Sequence, residues 1–104
     1  MRVTVTRTGG FASIPRSWQV SLEREPDMAS WLTLLRDLPW DDIPRSAAQP
    51  DRYLYRIECE PYEPAVLGPH EAVIPEQDLK GPWRELVARV RERDEQYRLA
   101  ARKL

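Results

Sequence analysis

Arg2-Val3-Thr4-Val5-Thr6-Arg7-Thr8-Gly9-Gly10-Phe11-Ala12-Ser13-Ile14-Pro15-Arg16-Ser17-Trp18-Gln19-Val20-Ser21-Leu22 alternates apolar and polar residues on both sides of a glycine-led break. Val3 and Val5 fall on one face of residues 2–7, and Arg2, Thr4 and Thr6 on the other, which predicts a half-buried strand. Trp18, Val20 and Leu22 repeat the pattern over 16–22. Between them a Gly-Gly pair opens a turn and Pro15 closes it. Strand, loop and strand make a β-hairpin. Its connection is longer than the two-residue type, so the tip should protrude.

Outward from the hairpin, proline and glycine mark the remaining elements. Glu25-Pro26-Asp27 reads as a helix start, with proline in the first turn and acids at the positive end of the dipole. Met28, Trp31, Leu32, Leu34, Leu35 and Leu38 follow at roughly helical spacing, and Pro39 ends the run. Residues 39–50 read as a linking loop. Over 52–60, Tyr53, Tyr55, Ile57 and Cys59 share one face; Arg52, Arg56, Glu58 and Glu60, with Leu54, share the other. Pro61 to Pro69 is a turn region, 70–74 a short strand ended by Pro75, and Lys80-Gly81-Pro82 opens a final helix. Trp83, Leu86, Val87 and Val90 form its apolar stripe, which Tyr97 and Leu104 continue more thinly. The order ββαββα predicts an α+β fold: a four-stranded, mostly antiparallel sheet with two helices on one face. Residues 1–104 read as one domain, with 91–104 a helical C-terminal extension whose last turns project beyond the core.

Composition narrows the function. The 104 residues carry 16 Lys plus Arg against 17 Asp plus Glu, so no bulk charge calls for nucleic acid. Apolar runs of only a few residues exclude a membrane helix, and the N-terminus lacks an apolar block of signal-peptide length, which predicts a cytoplasmic location while leaving other export routes open. One cysteine, Cys59, excludes an internal disulfide and a Cys-based zinc site; one histidine, His70, excludes a two-His metal motif. No cofactor or resident metal is expected. A Cys59–His70 hydrolase is the residual enzymatic reading. Cys59, however, lies on a face that should be buried, where a thiol is inert. His70 sits at a turn-to-strand junction without a second ligand.

Two surface features carry more. Residues 84–104 hold a net charge of +3 against −4 for the rest of the chain, but the signs interleave, as on a solvated helix face. An amphipathic helix here supports an adaptor reading, in which helix 83–104 docks on a partner. On either reading the molecule is expected as a monomer with weak self-association through its last turns. Of the four tryptophans, Trp18, Trp31 and Trp83 sit on apolar faces, and Trp40, beside Asp41 and Asp42, is the one expected in the open. The loop 8–15 places two large apolar side chains, Phe11 and Ile14, on a protruding connection. They either form a recognition tip or fold back to cap the core.

At this loop the chain resembles a known family. Arg7-Thr8-Gly9-Gly10-Phe11-Ala12-Ser13-Ile14 is similar to the R-S-G-G-F-A-G-I signature of emfourin-like proteins, with Thr8 in place of Ser and Ser13 in place of Gly. Pro50-Asp51-Arg52-Tyr53-Leu54-Tyr55-Arg56-Ile57 is similar to the second block of that family, and Val73-Ile74-Pro75-Glu76-Gln77-Asp78-Leu79 to its C-terminal block. The family comprises small bacterial inhibitors of protealysin and related thermolysin-type zinc metallopeptidases. The resemblance therefore implies a non-enzymatic inhibitor. Its loop residues Arg7, Thr8, Gly9, Gly10, Phe11, Ala12, Ser13 and Ile14 would enter the peptidase cleft, with the zinc belonging to the partner. Phe11 or Ile14 would then fill the apolar pocket that receives the residue after the scissile bond.

Overall fold

In a computed structural model the described residues are 1–10, 14–44, 52–60 and 70–102. Strands β1 (Arg2–Gly9), β2 (Arg16–Ser21), β3 (Tyr53–Glu60) and β4 (Glu71–Pro75) form one sheet in the order β2-β1-β3-β4. All three pairings are antiparallel. Helix α1 (Met28–Asp37) follows a 3-10 turn at Leu22–Arg24, and helix α2 (Gly81–Arg102) follows another at Glu76–Asp78. The α+β class and the order ββαββα are those the sequence predicts.

The alternating patterns resolve as read. Val3, Val5, Trp18, Val20, Ile57, Cys59, Ala72 and Ile74 are buried on one sheet face, under Trp31, Leu35, Trp83, Leu86, Val87 and Val90 of the two helices. The opposite face is mainly polar, with Val73 exposed on it. On it Arg56 pairs with Glu58 at 3.3 Å and with Glu71 at 2.8 Å. β1 runs two residues beyond the expected strand. Its register against β3 continues to Gly9↔Tyr53, past the point where β2 stops at Arg7↔Arg16. β4 starts at Glu71 and takes in Pro75, which an edge strand tolerates at its end.

Two expectations fail for stated reasons and a third is narrowed. Trp40 is not in the open: it is 2% exposed. Its backbone N–H turns back to the Leu38 carbonyl at 2.9 Å, and its indole N–H donates to the Leu35 carbonyl at 2.8 Å. The ring meets Trp83 edge-on, with centroids 5.2 Å apart. Glu25-Pro26-Asp27 is not the first turn of α1, which begins at Met28. Glu25 instead turns inward and is buried, and the Asp27 carboxylate, making no cap, pairs with Arg89 of α2 at 2.7 Å. The turns of α2 from Arg91 to Arg98 lie against the body, while Leu99 to Arg102 are exposed. Arg93 Nε reaches Glu25 at 2.7 Å, the Tyr97 hydroxyl donates to the same carboxylate, and Arg98 donates to the Ser17 carbonyl at 3.1 Å. The expected linking loop is described as far as Pro44; the turn region 61–69 lies outside the described residues.

Candidate functional site

The connection between β1 and β2 leaves one end of the sheet. Phe11, Ala12 and Ser13 lie outside the described residues; the two stems are described. On the first stem Gly9 and Gly10 have φ of +88° and +75°, a region L side chains rarely occupy. A side chain at either position would also crowd its neighbours. A Cβ on Gly9 would lie 2.8 Å from the Arg52 carbonyl oxygen, and one on Gly10 2.8 Å from the Tyr53 ring. The glycines are therefore fixed by close approach to the start of β3. On the second stem Ile14 is 75% exposed, so it does not fold back onto the core. Pro15 and Arg16 are exposed with it.

Further side chains brace the stems. The Arg7 guanidinium lies over the Tyr53 ring at 4.3 Å and faces Trp18 at 5.5 Å. The Thr6 and Ser17 hydroxyls meet at 3.2 Å across the hairpin. Thr8, half-buried, pairs with Leu54. β3 is held in turn by the 3-10 turn after β4. Glu76 accepts the Tyr53 backbone N–H at 3.3 Å and pairs with Arg52 at 3.2 Å. Three stretches far apart in the chain thus meet beneath the loop: Arg7 to Gly10, Arg52 with Tyr53, and Glu76. The bracing partners Arg52, Tyr53 and Glu76 are not visible as site residues from spacing. The only signal for them is that they fall inside the three blocks of resemblance.

The enzymatic candidates do not assemble a reactive centre. Cys59 is buried, and burial pushes its thiol up to about 12, so the thiolate is disfavoured near neutral pH. Its link to His70 is a backbone one, from the Cys59 N–H to the His70 carbonyl at 2.9 Å. Among the described residues no three His, Cys, Asp or Glu side chains gather in a group that would hold a metal ion. No helix of the described residues is long and apolar enough to cross a membrane.

Among the described residues Glu25 is the carboxylate whose pKa is shifted. Burial raises its pKa, but hydrogen bonds from Arg93 and Tyr97 and the Arg93 charge outweigh burial and hold it below the ordinary value. This network ties α2 to the turn before α1.

A model of the family described as Emfourin matches residues 5–91, from within β1 to the middle of α2. Comparison with curated proteins and with solved structures returned no match.

Proposed function

The chain belongs to the Emfourin family, and from that premise we propose that it inhibits a thermolysin-like zinc metallopeptidase by inserting the loop 8–15 into the active-site cleft. The observation that carries the reading is the braced loop base. Gly9 and Gly10 lock against Arg52 and Tyr53, and Glu76 holds both of those. Stems held before contact lose less entropy on binding, which favours tight association. Exposed Ile14, and Phe11 three residues earlier, supply apolar side chains for a substrate pocket. The chain would act as a binding protein, and the zinc would be the partner's.

The direct test is residual activity of a purified thermolysin-like peptidase titrated with the protein. Stoichiometric loss of activity, with the inhibitor left intact, is the expected result. Steady cleavage of the chain, or no loss of activity, overturns the reading. If Phe11 is a buried anchor, Phe11→Ala weakens inhibition by about 2 kcal/mol, roughly 30-fold in the inhibition constant, with the thermal midpoint unchanged.

A further inference from the structure

We propose that the guanidinium cluster around Trp18 is a second contact surface, which receives a carboxylate-bearing segment of the peptidase beside its cleft. The inference rests on the inhibitor reading and adds an acidic docking site to it. Trp18 is 1% exposed, and three arginines from three different elements close over its ring. The Cζ atoms of Arg7 on β1, Arg16 on β2 and Arg91 on α2 lie 5.5, 5.3 and 4.6 Å from the ring centroid. Attraction to the ring quadrupole holds each guanidinium in place but leaves its charge in full. Three like charges gathered this closely repel one another, and an incoming anion relieves that repulsion.

Carboxylates stand near the cluster, Glu92 and Glu95 lining the hollows beside Arg91 and Arg16, without pairing with it. Arg52, Arg56, Arg89, Arg93 and Arg98 each pair with a carboxylate, whereas among the described residues none pairs with Arg7, Arg16 or Arg91. The Arg7 Nε is buried without a hydrogen-bond partner. Beside the cluster a hollow of about 300 Å³ is lined by Arg16, Arg98, Arg102 and Leu99, with Glu95 its acidic group. Leu99 is 55% exposed. The exposed apolar Leu99 suits a protein segment that carries an apolar side chain beside its carboxylate rather than a continuous phosphate backbone, while Glu95 repels any anion and is outweighed by the arginines around it. Arg16 follows Pro15 at the exit of the loop, so a partner gripping the tip brings its cleft rim towards the cluster. Two contacts on one rigid body reinforce each other through effective concentration.

The test follows inhibition of the peptidase over time, from low to high salt, with the wild type and the double variant Arg16→Glu/Arg91→Glu. Electrostatic steering predicts that the double variant associates about tenfold more slowly at low salt and loses the salt dependence. Phe11→Ala should instead speed dissociation. A double variant that melts like the wild type and associates at the wild-type rate overturns the acidic site while leaving the loop reading intact. A wild type that inhibits no such peptidase overturns the loop reading, and the inference with it. Should the double variant fold poorly, Arg16→Gln replaces it, because Arg16 is exposed. Its association should then slow about threefold at low salt, and an unchanged rate again overturns the proposal. Wild-type binding to an oligonucleotide that the variants lose would assign the cluster to phosphate and overturn it too.

Discussion

Gly9 and Gly10 look interchangeable in the sequence, yet their neighbours differ in kind. A methyl group at position 9 meets the Arg52 carbonyl, which is backbone and is held by the β1–β3 ladder. At position 10 it meets the edge of the Tyr53 ring, which is a side chain and can swing aside. Both positions also carry the cost of positive φ, about 1–2 kcal/mol. Gly9→Ala should therefore destabilise by about 2 kcal/mol or more, and Gly10→Ala by about 1 kcal/mol, in denaturant unfolding. Because both glycines set the entry to the loop, each variant should also weaken inhibition by more than its stability loss accounts for. Trp40 teaches a related lesson. Two aspartates follow it, so local polarity places it in solvent. One turn hydrogen bond and one indole hydrogen bond bury it instead. Sequence neighbours do not reveal such a reversal; the edge-on contact with Trp83, far along the chain, completes it.

At the scale of elements, the clamp on α2 sets a pH dependence. The Glu25 carboxyl is held below its ordinary value of 4.5 by Arg93 and Tyr97, despite burial. A depressed acid stabilises the fold above its unfolded-state pKa, and the contribution is lost as pH falls through the folded value. Stability should thus be flat from neutral pH to about 5 as far as this group is concerned, then decline. Glu25→Gln should cost about 2 kcal/mol at pH 7 and flatten the acid limb of the thermal midpoint, measured from pH 7 to 3. At the other end of the sheet, Glu76→Ala removes a half-exposed ion pair with Arg52, so its stability cost stays below about 1 kcal/mol. It also frees the Tyr53 backbone, so inhibition should suffer more than the melting temperature. The strands and helices were legible because period-two and helical patterns report burial on one face. The clamp was not, because Glu25 and Arg93 lie 68 residues apart and nothing local marks the pair. The loop itself was legible as a protruding turn. Its base was not, because Glu76 reaches Tyr53 only when β4 is laid beside β3.

For the molecule as a whole, Cys59 is a reporter. Its thiol lies inside the sheet–helix core, and burial pushes its pKa up to about 12. A thiol-specific reagent should react with it only when the core opens. The labelling rate should therefore track global stability across the variants above, and rapid labelling of the wild type would show local opening at β3 instead. Among the described residues the sheet has two margins, β2 and β4. Neither is left bare. On β2 the Ser17 carbonyl accepts a hydrogen bond from Arg98 at 3.1 Å, and β4 ends at Pro75, which has no N–H to offer. Strand margins of this kind invite other chains to add on and seed fibrils, and cationic side chains and prolines there discourage it. The last turns of α2 therefore shield the protein from polymerising through its own sheet, and a chain shortened before Arg98 should be the one that clouds on storage.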